Sequence, residues 1–191
     1  AEAVAQARSG VPPTAPPELV LKVNVVGLKY LTEKLVPKMA DGGSIVSVAS
    51  LAGVGWPAAV AQLRAAEGLD FDGVADFCAA QGIDEARSYF FSKEAVIAWT
   101  IQNRWTWRDR GIRINAVSPG PVETPILADF VKTLGDRVEE DMRVMDRAGR
   151  PTDIAPVIAF LLGDGAVWIR GANIPTDGGM NSYILAQNNG L

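Results

Sequence analysis

Two short β-branched runs constrain this chain more than anything else in it. Residues 44–50, SIVSVAS, and residues 112–118, IRINAVS, each hold enough Val and Ile to form a buried strand. Both are bounded by turn residues: Asp41-Gly42-Gly43 precedes the first, Gly111 opens the second, and Pro119-Gly120 ends it. Ala172–Thr176 reads as a third strand, stopped by Asp177-Gly178-Gly179. Helical patterns lie between them. Leu19, Val23, Val26, Tyr30 and Leu35 recur at near-helical spacing and predict a helix over 18–39. Val96, Ile97, Trp99, Thr100 and Trp107 predict another over 88–108. Buried strands joined by crossover helices imply an α/β fold with a parallel sheet.

The remaining segments fill in around that sheet. The four prolines of residues 11–17, VPPTAPP, demand a loop. Residues 52–88 mix alanine-rich stretches with Gly55, Pro57, Gly68, Gly73 and Gly82. They read as two or three short helices in an insertion, with a lid as one role. Residues 122–148 read as a charged, mobile loop carrying helices. Thr152 reads as the N-cap of a helix reaching Leu162, with Asp153 favoured in its first turn and Pro156 at the end of that turn.

Composition excludes several functions. The 191 residues include 18 basic and 22 acidic side chains, a net charge of -4, and no Lys/Arg stripe suited to nucleic acid. No apolar run approaches the ~20 residues of a membrane helix. With no histidine, a histidine-based triad cannot form, and no metal site is expected. Cys78 is the only cysteine, which rules out an intrachain disulfide and suits a small core residue in a cytoplasmic protein.

Ligands of open parallel sheets bind at the carboxyl ends of the strands. That directs attention to Ser50–Gly53, Pro119–Thr124 and Asp177–Met180. Near them, Tyr89 and Lys93 are four apart, hence on one helical face. An ammonium beside a phenol favours the phenolate and lowers a pKa that is otherwise ~10, so the pair can exchange a proton with a hydroxyl or carbonyl. Taken alone, the pair also fits an exposed helix pair. Ser50 can hydrogen-bond a substrate oxygen or simply cap a turn. Asn24 is out of place in a helix interior; it is either a solvated residue or an amide that holds a water near a lysine.

Their order carries more information. KVNVVG around Asn24, GSIVSVAS ending at Ser50, YFFSK from Tyr89 to Lys93, GIRINAVSPGPVETP from Gly111, GRPTDIAPVIAFLL from Gly149 and IPTDGGM ending at Met180 occur in sequence. Together they resemble the short-chain dehydrogenase/reductase family over roughly residues 10–181. The resemblance implies a Rossmann-like, doubly wound parallel sheet. It also implies NAD(P)-dependent hydride transfer between a secondary alcohol and a carbonyl, with NAD preferred slightly over NADP. By the same likeness Tyr89 is the general acid/base, Lys93 lowers its pKa and contacts the nicotinamide ribose, Ser50 orients the substrate oxygen, and Asn24 holds a relay water. Pro119, Gly120, Val122 and Thr124 line the nicotinamide end, with Val122 offering backbone contacts to the carboxamide.

The 39 residues separating Ser50 from Tyr89, with VPPTAPPELVLKVN and SLAGVGW, resemble the 3α-hydroxysteroid dehydrogenase and coniferyl-alcohol dehydrogenase branch. The implied substrate is a small hydrophobic alcohol or ketone. The family's opening strand and TGxxxGxG turn have no counterpart here; Gly53-Val54-Gly55 and Gly163-Asp164-Gly165 are isolated pairs. Its NAG motif is represented only by Ser9-Gly10, after Ala7-Arg8. The expectation is therefore an N-terminally truncated sheet that by itself binds NAD or NADP weakly. The alternative function is an inactive fragment retaining the substrate-side and dimerisation half. The apolar set Ile154, Val157, Ile158, Phe160, Leu161 and Trp168 predicts a homodimer through this last helix and the following strand, while the 52–88 insertion covers the helices that build the family's tetramers.

Overall fold

The computed structural model describes residues 3–6 and 10–191, with side chains described from Gly10 onward except at 134, 136–137 and 139–140. Ala7, Arg8 and Ser9, and with them most of the Ser9-Gly10 motif, lie outside the described residues. In chain order the elements are β1 (Ala3–Gln6), α1 (Pro17–Leu21), a π-helical turn (Lys22–Gly27), α2 (Leu28–Leu35), β2 (Ser44–Val48), α3 (Val60–Ala65) and α4 (Val74–Gln81). Then follow α5 (Glu85–Gln102), β3 (Arg113–Pro119), α6 (Leu127–Leu134), α7 (Asp136–Val144), α8 (Pro151–Leu162), β4 (Asn173–Thr176) and α9 (Met180–Asn189).

The strands form one parallel sheet in the order β1-β2-β3-β4. β1 was not legible in the sequence, because four residues, AVAQ, carry too little pattern. Register sets Ile45 beside Ile114 and Val46 beside Asn115. Alternation along the strands then sorts side chains between two helical layers. Ile45 and Ile114 pack with Val36, Met39 and Trp99 on one face. Val46 and Val117 pack with Ile154 and Leu161 of α8 on the other. Helices on both faces of a parallel sheet make the Rossmann-like α/β arrangement that the sequence implied.

Several boundaries differ from the expectations. Helix 18–39 is one helical stretch interrupted by the π turn, which holds Asn24. α5 starts before Ser88, because the Asp84 side chain accepts from Arg87 N at 2.9 Å and caps it. It ends before Arg108, where Asn103 Nδ2 donates to Trp99 O at 2.8 Å. α8 begins at Pro151 with Arg150 as N-cap, so Thr152 is not the cap. Asp153 reaches back to Arg150 N at 2.7 Å, and Pro at the first helical position fixes φ where no partner N–H is needed. Pro156 consequently falls in the second turn, on an exposed face where water reaches the backbone it leaves unbonded.

Buried polar groups fasten α8 to the sheet. Arg113, at the start of β3, donates to Leu161 O, Ala166 O and Gly163 O at 3.0, 2.8 and 3.1 Å. Ser44 Oγ also donates to Leu161 O at 2.9 Å. A buried guanidinium at a helix C-terminus satisfies carbonyls that no helical N–H can reach.

Most of the insertion is a packed appendage. Leu63, Val74, Phe77 and Cys78 form one core with Val20, Leu21, Val25 and Phe91. Its helices therefore cover the outer face of α1, the π turn and α5. Cys78 is a buried core residue. Among the described residues, no helix is long and apolar enough to cross a membrane.

Candidate active site

Ser50 emerges just beyond β2. Ala49 N donates to Val117 O at 2.8 Å, so the chain still runs beside β3 one residue earlier. The Ser50 backbone is extended, with φ −174°. Its Oγ accepts from Ala52 N at 3.2 Å and its carbonyl from Gly53 N at 2.9 Å, which closes a short 3-10 turn, Leu51–Gly53. The Ser50 side chain lies beside the Tyr89 hydroxyl and favours its anion.

Tyr89 and Lys93 project from α5 towards that turn. Both are almost fully buried. Lys93 Nζ donates to Val48 O at 3.2 Å and lies 5.5 Å from the centre of the Tyr89 ring. Burial brings Lys93 down from 10.5 to about 8, since the site cannot solvate an ammonium. Burial also pushes the Tyr89 phenol above its ordinary value, with the neighbouring Ser50 hydroxyl pulling more weakly the other way. The sequence predicts a phenol lowered by Lys93, and the structure reverses that sign. Desolvation opposes both charges, and Lys93 directs a proton to a carbonyl on β2 while it lies against the phenol ring.

These groups open into a cavity of about 820 Å³ at the carboxyl ends of β2 and β3. Pro119, Gly120, Val122 and Thr124 form the wall after β3. Leu51, Ala52 and Val54 form the wall after Ser50, and Ile126, Phe130, Ile158 and Ile184 enclose the remainder. Val122 forms an isolated parallel bridge with Gly149: Glu123 N donates to Gly149 O and Gly149 N to Pro121 O. In such a bridge the N–H and C=O of Val122 itself point away from Gly149. Its carbonyl accepts from Thr124 Oγ1 at 3.2 Å. Seven of the eight candidate residues thus meet around one cavity: Ser50, Tyr89, Lys93, Pro119, Gly120, Val122 and Thr124.

Asn24 stands behind this group and does not line the cavity. It is buried in the π turn, a type of distortion common near functional sites. Its Oδ1 accepts from Val11 N at 2.8 Å; its Nδ2 donates to Ser92 Oγ at 3.2 Å and Val11 O at 3.3 Å. The amide joins the loop before α1 to the catalytic-side helix. The third expected segment also goes elsewhere. Asp177–Gly179 border a separate cavity of about 590 Å³, and Asp177 accepts from Gly179 N and Asn181 N at the start of α9.

Two contributors escaped sequence reasoning. Phe130 of α6 meets the Tyr89 ring edge-on, with centroids 4.9 Å apart. Ile184 reaches the cavity from α9, near the far end of the chain. Phe130 carried a weak signal, an apolar stripe in residues 126–131; Ile184 carried none.

Known proteins resemble this chain along most of its length. Residues 73–181 match the family model described as Enoyl-(Acyl carrier protein) reductase, adh_short_C2. The chain is 40% identical over 185 residues to coniferyl-alcohol dehydrogenase of Pseudomonas sp. (strain HR199 / DSM 7063), covering 93% of this chain and 71% of that protein. It is 30% identical to cyclohexanol dehydrogenase of Acinetobacter sp. (strain SE19), over 85% of this chain and 54% of that protein. It is also 30% identical to 3-alpha-hydroxysteroid dehydrogenase/carbonyl reductase of Comamonas testosteroni, over 86% and 66%. The chain thus spans between about half and about seven-tenths of these relatives' lengths. Among solved structures, the 3-alpha-hydroxysteroid dehydrogenase of Pseudomonas sp. B-0831 complexed with NADH matches with a TM-score of 0.81 and 31% identity, over 97% of this chain and 74% of that one.

Proposed function

Because this chain belongs to the short-chain dehydrogenase/reductase family, we propose that its cavity interconverts a secondary alcohol and a carbonyl with NAD or NADP. The observation that carries this reading is Ser50 beside Tyr89, backed by Lys93, in the wall of one largely apolar cavity. The residues present fit the nicotinamide end of the cofactor. Pro119, Gly120 and Val122 give a close wall, and the outward-facing Val122 N–H and C=O suit a carboxamide, which both donates and accepts. When bound, the nicotinamide supplies or receives the hydride.

The chain's own groups handle position and protons. Ser50 Oγ holds the substrate oxygen beside the Tyr89 hydroxyl. Tyr89 gives its proton to that oxygen in reduction and takes it back in oxidation. A buried phenol is a reluctant anion, so Lys93, when protonated, must stabilise the charge that develops on it. Asn24 is assigned the role of anchoring the far side of α5 and a relay water behind Lys93. The apolar walls exclude bulk water and suit a small hydrophobic alcohol or ketone of hydroxysteroid or arylalkyl type, within the roughly 300–1,000 Å³ usual for such sites. NAD is proposed ahead of NADP because the relative matched at a TM-score of 0.81 holds NADH. A cytoplasmic homodimer is the proposed state.

The test is turnover of a panel of cyclic, steroid and arylalkyl alcohols with each dinucleotide. Tyr89→Phe should lower kcat by about 100-fold or more while the circular dichroism stays that of the parent. A variant turning over near the parental rate at every pH would remove Tyr89 from the mechanism.

A further inference from the structure

Ser50 depends on how closely its turn approaches α5, and one residue sets that approach. Gly53 ends the 3-10 turn that Ser50 begins, and it is buried. A Cβ at Gly53 would lie 2.6 Å from Lys93 O, 2.7 Å from Lys93 C and 2.8 Å from Ile97 Cδ1. The first two atoms are backbone within the 18-residue helix α5 and cannot turn aside. The turn therefore touches α5 backbone to backbone, at the turn of helix that carries Lys93.

This contact is linked to the reacting group through two hydrogen bonds. Gly53 N donates to Ser50 O at 2.9 Å, and Ala52 N donates to Ser50 Oγ at 3.2 Å. The turn thus fixes both the backbone and the side-chain rotamer of Ser50. That rotamer leaves Ser50 on the wall of the cavity that Tyr89 also lines. We infer that Gly53 is a positioning residue: its missing side chain sets the Ser50–Tyr89 distance by letting the 51–53 turn rest on the Lys93 carbonyl. The inference rests on the functional reading given above for Ser50 and Tyr89.

Restoring ordinary contact with Lys93 O requires about 0.8 Å of movement, the gap between 2.6 and 3.4 Å. Because α5 is packed on both sides of this point, the turn moves and takes Ser50 with it. Misplacement of about 1 Å at a reacting centre lowers rates by about 100-fold.

The experiment compares Gly53→Ala, Ile97→Val and the double variant in the full chain. In Gly53→Ala, kcat is expected to fall about 10- to 100-fold with KM changed less than about threefold. The acid-side limb of the oxidation profile, below which Tyr89 holds its proton and cannot act as base, should move to higher pH, since Ser50 is what favours the Tyr89 anion. Crystal structures of parent and variant should show the Ser50–Tyr89 hydroxyl separation longer in the variant by about 0.5 Å or more. Ile97→Val removes only Cδ1, so alone it should leave kcat and the pH limb within about twofold of the parent, a mild core change. The double variant relieves the side-chain contact, folds more readily, and should still be at least about tenfold slow, because the Lys93 carbonyl remains.

Parental kcat in Gly53→Ala or in the double variant, or slow turnover with an unmoved pH limb and an unchanged Ser50–Tyr89 separation, would overturn the inference. A parent that turns over no alcohol with either dinucleotide would instead defeat the functional reading; the hydroxyl separation in the variant would then decide the positioning role by itself.

Discussion

Lys93→Met should stabilise the protein near neutral pH while abolishing turnover. Lys93 is wholly buried and its ammonium is brought from 10.5 to about 8 by desolvation. Each unit corresponds to about 1.4 kcal/mol, so the charged form is disfavoured in the folded chain by about 3 kcal/mol. Below pH 8 the lysine is protonated in both folded and unfolded states, and the whole penalty is present. Between 8 and 10.5 the unfolded chain binds more protons than the folded one, so parental stability rises with pH. Above 10.5 both forms are neutral and the penalty is gone. Methionine fills a similar volume without a charge, although Val48 O loses its 3.2 Å donor, a cost of about 1–2 kcal/mol. The expected net gain is about 1–2 kcal/mol at pH 6.5, disappearing or reversing by about pH 10.5. Urea unfolding of both proteins across this range measures it. A methionine variant less stable than the parent at pH 6.5, or a difference that does not vary with pH, would refute the reasoning.

Three further outcomes are expected. Arg113→Leu removes a charged donor from the carbonyls of Leu161, Gly163 and Ala166, which keep their bonds from Ser44 Oγ, Ala166 N and Ile169 N, and should lower stability by about 1–3 kcal/mol, read as a lower urea midpoint. Phe130→Ala removes the ring that packs on Tyr89 and walls the cavity; KM for a bulky hydrophobic alcohol should rise about tenfold or more, with a smaller change for a short aliphatic one, in steady-state assays. Phe160 is 51% exposed and Trp168 95% exposed on the face of α8 and the loop after it. Light scattering of the parent should therefore report a twofold assembly of the 20.3 kDa chain, and Phe160→Glu with Trp168→Ser should report a monomer.

Sequence alone determined the fold class and most of the candidate site. Short β-branched runs such as residues 44–50 can be stable only inside a sheet, so their presence between helical patterns fixed the α/β arrangement. Tyr89 and Lys93 share a helical face by spacing alone, and Ser50 and Pro119 to Thr124 stand at strand ends wherever the strands lie in the sheet. The strand Ala3–Gln6 was not legible, since its pairing with Ser44–Ser47 is a contact across roughly forty residues. Nor was the role of residues 60–83, whose apolar positions suit a lid as well as a core until Phe77 is seen against Phe91, ring centres 5.6 Å apart.

Tertiary structure decided the rest. It turned Ile154 and Leu161 to the sheet and left Phe160 and Trp168 exposed, a division that composition cannot make. It also reversed the expected phenol shift. Periodicity places two side chains on one face, but it is burial that sets the cost of charging them, and burial depends on residues far away in the chain. Gly53 belongs here as well: its neighbours are Lys93 and Ile97, forty or more positions away. Local chemistry is written in local spacing. Solvation and close approach come from distant segments brought together, so only the folded chain could fix them.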